Sequence, residues 1–234
     1  MSLAERVVVP ERMDAPDLDP GAHADALRGL RRLNLLAASP RLLWPVLEAF
    51  AARTTSPLRV VDVACGGGDG AIAIARKARA RGLAFQVTGL DLSATALEHA
   101  REAASRAGAL VTFDRADVVN EPALPCVADV FTCSLFLHHT SRAQAIALLE
   151  RLAGAARLGI VVVDLLRTRL GYALATAAAR LVTRSPIVHF DAAASVRAAF
   201  TRAEIETIAR AANLRDSRID RVWPERFRLV WSRT

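Results

Sequence analysis

Lysine is almost missing from this 234-residue chain: Lys77 is the only one, and arginine carries the rest of the positive charge. Aromatic residues make up 5% of the sequence, with a single tyrosine, so platforms on which nucleic-acid bases stack are few. The formal charge of +7 is not gathered into a stripe; Glu98, Arg101, Glu102 and Arg106 mix signs along one helical segment, as solvated faces do. Nucleic acid is therefore disfavoured as a partner, and attraction of anionic small molecules is the milder consequence. Cysteine is scarce as well. Cys65, Cys126 and Cys133 are odd in number and never spaced as C-x-x-C, which argues against a disulfide frame or a zinc site, and no metal is expected. No uncharged apolar run reaches the length of about 18 residues that a membrane span needs. The segment Met1–Arg6 has no apolar leader core. These absences together predict a cytoplasmic protein with reduced thiols and no membrane span.

What is present is 53% apolar residues, enough for one sizeable core in a single domain. From Arg59 the chain alternates short β-rich runs with helical patterns. Strands are predicted at Arg59–Ala64, Phe85–Asp91, Leu110–Asp114, Asp129–Phe136 and Gly159–Leu165. Helices fall at Asp69–Arg81, Ser93–Ala107 and Ser141–Arg157, with Ser93 and Ser141 where N-caps belong. Such alternation implies an α/β fold: a mostly parallel sheet with helices on both faces. Residues 1–20 read as an irregular arm, and Ala22–Ala51 as helix broken at Ser39-Pro40, with Leu27, Leu30, Leu33 and Leu36 on one face. Residues 1–54 are thus read as arm and helical cap, and 55–234 as the main unit, with a helical insertion at about 168–200. In that insertion Arg169–Arg184 is helical and Ser185–Asp191 is read as a loop. Thr201-Arg-Ala-Glu204 makes a capping box for a helix through Ala212. Asp216–Trp223 and Arg226–Trp231 are two closing strands.

The most informative segment is Arg59-Val-Val-Asp-Val-Ala-Cys-Gly-Gly-Gly-Asp-Gly70, which reads strand, glycine turn, helix start. That is how a doubly wound sheet builds a nucleotide pocket at the carboxyl end of its first strand. Glycines let backbone approach a ligand closely, and the helix start supplies N–H donors. Asp62 stands before the glycines, where a pyrophosphate site has little use for negative charge. A ligand with positive charge and no phosphate suits it better. Gly66-x-Gly68-x-x-Ala71 also satisfies the loose dinucleotide fingerprint, but Asp62 and Asp117 argue against a nicotinamide enzyme.

Over roughly residues 55–231 the sequence resembles the class I S-adenosylmethionine-dependent methyltransferases. Asp62-Val-Ala-Cys-Gly-Gly-Gly-Asp69 is similar to their first motif, most closely in the spelling of the ubiquinone- and menaquinone-type branch and of bacterial natural-product tailoring enzymes. The resemblance implies a seven-stranded Rossmann-like sheet, S-adenosyl-L-methionine as cofactor and S-adenosyl-L-homocysteine as product. It implies that Asp62 anchors the methionine amino end while Ala64, Cys65, Gly66 and Gly68 line the cofactor. It further implies that Asp91 takes the ribose hydroxyls, Leu92 covers the adenine, Asp117 and Val118 hold the adenine edge, and Ser134 closes the site. Each acid alone is an ordinary turn or N-cap residue, but three in register after three successive strands are not.

Methyl transfer needs a base only when the nucleophile arrives protonated. His138 and His139, after the fourth strand, are candidate bases, with His139 ahead as nearer the pocket mouth; His189, beside Asp191, is a third. The Asn/Asp-Pro-Pro-aromatic sequence of many amino-methylating nucleic-acid enzymes is absent here. The apolar insertion predicts a hydrophobic acceptor of phenolic, quinol or polyketide-like type, with Arg31, Asn34 and Arg197 as candidate contacts. O-methylation is favoured over C-methylation, in a monomer or homodimer acting on a small molecule. The alternatives are an RNA or protein methyltransferase and a non-catalytic module that binds the cofactor.

Overall fold

The computed structural model describes residues 3–14, 18–37 and 39–233, with the side chains at 14, 20, 23, 24, 27, 31, 34–37 and 39 outside that description. The cap helices are α1 (Pro20–Ala37) and α2 (Ser39–Ala51). The alternating unit follows as β1 (Leu58–Val63), α3 (Asp69–Ala80), β2 (Phe85–Asp91), α4 (Ala94–Ala107), β3 (Val111–Arg115), β4 (Ala128–Ser134), α5 (Arg142–Ala155) and β5 (Ala156–Leu165). Three helices, α6 (Arg169–Val182), α7 (Pro186–Ala198) and α8 (Arg202–Ala211), precede the closing strands β6 (Arg218–Val222) and β7 (Arg226–Ser232).

The seven strands form one sheet in the order β3-β2-β1-β4-β5-β7-β6. The first five run parallel, with Val60 opposite Val87 on one side and Val130 on the other. The last two are antiparallel, β7 lying between β5 and β6. Strand order reverses between β1 and β4, which opens a crevice at their carboxyl ends.

Strand side chains alternate between two buried layers, as a period of two requires. Val60, Val130 and Val161 pack against Leu43, Leu47, Ile72 and Leu97 of α2, α3 and α4. Val61, Phe131, Ile160 and Leu229 pack on the other face against Leu148, Leu152, Ile205 and Ile208 of α5 and α8. A third, smaller cluster joins Met13, Ala26, Ala179, Ile187 and Val188, so arm, α1, α6 and α7 pack as a cap.

Local chemistry sets the helix starts. Ser93 accepts a hydrogen bond from the Ala96 N–H, while Ser141 with Gln144 and Thr201 with Glu204 form complete capping boxes. Two sequence expectations need correcting. The helix expected to reach Arg157 stops at Ala155, because Ala156 turns extended and opens β5 three residues early. The segment Ser185–Asp191 is not a loop: Ser185 stands at the N-cap and Pro186 at the first turn of α7, a position that needs no N–H donor.

Candidate functional site

Asp62, one residue before the end of β1, is 3% exposed. The Thr132 hydroxyl on β4 donates to it at 2.7 Å, and the Ala71 backbone N–H of α3 also bonds it. This carboxyl therefore ties two strands to the helix that follows the glycine turn. Burial dominates its chemistry and raises its pKa to about 6, against the pull of those two hydrogen bonds.

The turn itself runs through left-handed backbone at Ala64, Gly66 and Gly68, with φ of 54°, 52° and 78°. A Cβ placed on Gly68 would come within 2.9 Å of the Ala100 Cβ and the Phe113 ring, so the inner side of the turn is packed shut. A Cβ on Gly66 or Gly67 would meet nothing within 4 Å, so the outer side is open. The Cys65 thiol lies partly buried beneath, its pKa pushed up by burial.

Asp91 ends β2 beside this open face. One of its oxygens accepts the Gly66 N–H at 2.7 Å and the other accepts the Ser93 N–H at 2.9 Å. Next to it Leu92 is 53% exposed, an apolar side chain with no core to fill. Asp117 accepts from the Asn120 side chain at 2.8 Å and from the backbone N–H of Val119 and Asn120; the Asn120 bonds lead in holding its pKa low. Val118 beside it is buried. At the end of β4 the Ser134 hydroxyl oxygen is buried with no hydrogen-bond partner among the described residues. An open glycine cradle, a carboxylate with an exposed leucine at its side and an orphaned buried hydroxyl together fit S-adenosylmethionine, and a buried polar atom of that kind calls for a partner.

Beyond Ser134, on the β5 side, lies a cavity of about 310 Å³. Leu30 and Leu33 of α1, Leu174, Ala175 and Ala178 of α6, and Val188 and Ala192 of α7 make its apolar wall. Its polar groups are Glu11, His138, His139, Asp191, Ser195, Glu225 and Arg226. The β4-to-α5 connection delivers the two histidines: Leu135 takes φ of 55°, and Leu137–His139 form one 3-10 turn that seats both imidazoles, with ring centroids 4.1 Å apart.

His138 is buried, and its Nδ1 lies 2.7 Å from an Asp164 oxygen, while its backbone N–H donates to the other oxygen at 3.0 Å. Burial works against the imidazolium, but the charge and hydrogen bond of Asp164 outweigh it and raise the His138 pKa. Asp164, likewise buried, is held low by His138 and by the backbone N–H groups of Leu165 and His138, which overcome its own desolvation. His139 is the opposite case: burial, and then the neighbouring His138, depress it to about 4. Arg226 sits at the same end of the cavity, its pKa lowered by burial to about 10.

The arm is not loose over this site. Arg6 donates to the carbonyls of His138 at 2.9 Å and Thr140 at 2.7 Å and stacks on Phe200. Asp191 of α7 accepts the N–H groups of Arg12 at 2.8 Å and Met13 at 3.1 Å. Those bonds carry Glu11 into the cavity, where it accepts from Ser195 Oγ at 2.5 Å.

Other sequence candidates fall elsewhere. His189 does not pair with Asp191: on a helix residues two apart face apart, and its Nε2 lies 2.8 Å from the Thr183 carbonyl oxygen. It is not among the cavity-lining residues, and neither is Arg197, whose buried Nε lacks a hydrogen-bond partner among the described residues. The side chains of Arg31 and Asn34 lie outside the described residues. Sequence reasoning missed Glu11, Asp164, Ser195 and Arg226. Asp164 carried a signal, since Val161-Val-Val-Asp164 closes a buried strand with an acid just as Val60-Val-Asp62 does. Glu11 carried none.

Residues 60–159 match the model of a methyltransferase domain family. No curated protein matches the chain. Among solved structures it is similar to the S-adenosylmethionine-dependent methyltransferase SibL in its apo form, at 25% identity and a TM-score of 0.67, covering 92% of this chain and 60% of that one. The magnesium protoporphyrin IX methyltransferase ChlM from Synechocystis PCC 6803, with bound S-adenosylhomocysteine, shares the fold at 19% identity and a TM-score of 0.58, covering 95% and 92%. The plantazolicin methyltransferase BpumL, in complex with a triazolic analogue and S-adenosylhomocysteine, does so at 14% identity and a TM-score of 0.60, covering 92% and 100%. The chain thus spans less than two thirds of SibL and nearly all of the other two.

Proposed function

We propose that the chain is a class I S-adenosylmethionine-dependent methyltransferase that methylates a hydroxyl oxygen of a small, hydrophobic, phenolic or quinol-like acceptor. The observation that supports this most is one juxtaposition. The open glycine turn follows β1, the lining of the apolar cavity includes Leu135 directly after the neighbouring strand β4, and that lining also includes His138, one half of a buried imidazole–carboxylate pair.

S-adenosylmethionine supplies an electrophilic methyl group on a cationic sulfur. The residues of the chain do the rest. Asp62, under the turn, holds β1, β4 and α3 in register and sets a negative charge below the place for the methionine ammonium. Asp91 keeps the Gly66 N–H in place and would take the ribose hydroxyls, Leu92 would cover one adenine face, and Asp117 with Val118 would border its edge. Ser134 Oγ would find its partner in the cofactor's tail.

His138 is the base. Its Nδ1–H bond to Asp164 fixes the tautomer, leaves Nε2 as the proton acceptor and stabilises the imidazolium that results. A base works best with a pKa near the working pH, and this pair lifts His138 while His139 falls to about 4. Sequence position favoured His139; hydrogen bonding and charge favour His138. A hydroxyl acceptor needs such a base, which supports O-methylation over methylation of carbon. Leucines and alanines from α1, α6 and α7 exclude water from the transfer path. Arg226 offers a cation to the acceptor's anionic form.

The test is transfer of a labelled methyl group to a panel of phenols, hydroquinones and aromatic polyketides, read with S-adenosylhomocysteine release. We expect cofactor binding by calorimetry and turnover with at least one hydroxylated member. Cofactor binding with no turnover on any hydroxylated acceptor, but methylation of RNA or protein, would overturn the acceptor class.

A further inference from the structure

We propose that Glu11, His138 and His139 form a binding site for one divalent transition-metal ion, of the zinc or cobalt type, opening into the acceptor cavity. The ligand atoms of the three residues all lie within 4.8 Å of one another, with His139 Nε2 and Glu11 Oε1 at 3.9 Å. Zinc bonds of about 2.0–2.1 Å in tetrahedral geometry place ligand atoms about 3.4 Å apart, so an ion would need the trio to contract by on the order of an ångström. Two imidazoles and one carboxylate are the donor set of open zinc centres, in which the fourth position is left to water or substrate. All three residues line the apolar cavity, so a fourth ligand would be drawn from it, where the acceptor's oxygen would lie.

The surroundings of the trio strengthen the assignment more than the trio itself. Metal-bound histidines characteristically donate their other ring nitrogen to a carboxylate or carbonyl, which orients the ring and raises its basicity. His138 does this through Nδ1 to the buried Asp164. Glu11 in turn is oriented by Ser195 Oγ at 2.5 Å, and its backbone neighbours Arg12 and Met13 are fixed by Asp191. Glu11 is also far in sequence from the histidines, yet its side chain is only 17% exposed. Hard cations are poor candidates, because magnesium and calcium want mostly oxygen ligands.

Metal binding and proton acceptance are alternative uses of His138. In the metal-free protein the imidazole would take the acceptor's proton; in the loaded protein the ion would hold the acceptor's oxygen as its anion, the displaced proton being released to bulk solvent. The proposal does not rest on the methyltransferase reading, because metal binding is read without cofactor or acceptor.

The experiment uses the full chain, freed of any polyhistidine tag and stripped with chelator, titrated with zinc chloride by calorimetry and with cobalt chloride by visible absorption. We expect one ion per chain, intense cobalt bands of four- or five-coordinate type, and no comparable heat from magnesium. Glu11→Gln and His139→Ala should each weaken binding at least tenfold, and Ser195→Ala about tenfold, with thermal melts confirming that the variants fold. Absence of a one-to-one zinc isotherm, or an isotherm unchanged in both Glu11→Gln and His139→Ala, overturns the site. His139→Ala suits the test because its ring is 37% exposed and packs little of the core.

Discussion

At the scale of single residues, the two adjacent histidines show how little a side chain's identity says before its partners are known. His138 and His139 are neighbours on one short turn, yet one is lifted by Asp164 and the other is depressed to about 4. Their difference is testable. We expect His138→Asn to lower kcat by about a hundredfold to ten-thousandfold, the usual range for a lost general base, with cofactor affinity within a factor of two. His139→Ala should cost less than tenfold in metal-free buffer. Equal losses in the two variants would remove the assignment of the base to His138. Asp91 gives a second residue-scale expectation. Its carboxylate holds the Gly66 N–H and, on the proposed reading, would accept the ribose hydroxyls, and hydrogen bonds to a charged group contribute about 1.5–3 kcal/mol. Asp91→Ala should therefore weaken S-adenosylmethionine binding by roughly ten- to a hundredfold in calorimetry; an unchanged affinity would sink the ribose assignment.

At the scale of elements, what was legible in the sequence was what local chemistry decides. Predicted strand Phe85–Asp91 coincides with β2, and the Ser141 and Thr201 capping boxes start α5 and α8 where their side chains say they should. The same holds for Asp62, Asp91 and Asp117, each placed by a strand end. Illegible were the pairings made by long-range closure. Asp164 meets His138 across 26 residues, and Asp191 meets Arg12 across 179. No periodicity encodes such contacts. The α7 error has a different cause: Ser185-Pro186 reads equally as a loop or as a helix start, and only packing of Val188 and Ala192 against Met13 and Ala179 settles it. This tie between α7 and the arm has a measurable consequence. Asp191→Ala removes a buried carboxylate that accepts two backbone N–H groups, which should destabilise the protein by about 2–3 kcal/mol. Limited proteolysis should then cut within residues 3–14, and turnover should fall more than cofactor affinity, because Glu11 and Arg6 lose their seats while the glycine turn keeps its own. A protected arm in that variant would show that the cap is held by other contacts.

At the scale of the whole molecule, one buried carboxyl links stability, pH and ligand. Asp62 has a folded pKa of about 6 against 3.8 when unfolded, because burial penalises its charge. The folded state therefore keeps the proton longer. Its stabilising contribution is complete below about pH 4 and is lost as pH rises toward and through 6. By neutral pH the ionised group costs about 3 kcal/mol relative to a neutral one. That cost is offset when a cation is placed over the turn, as the methionine ammonium would be. Two opposite trends should follow in one set of thermal melts between pH 5 and 7.5. The free protein's Asp62-dependent stability should decline with rising pH, while the increment in melting temperature from saturating S-adenosylmethionine should grow. Asp62→Asn supplies the control, since its amide mimics the protonated acid: it can donate to the Thr132 hydroxyl and accept from Ala71 N–H, the hydroxyl serving as either donor or acceptor. Relative to the natural chain, Asn at this position should make the free protein more stable at pH 7.5 by several degrees and cancel the decline. It should also bind the cofactor more weakly. The same pH slope in both proteins would show that Asp62 is not the linked group, and an undiminished affinity would show that its charge does not serve the ligand. The first motif would then be held in place by its acid for reasons of packing alone.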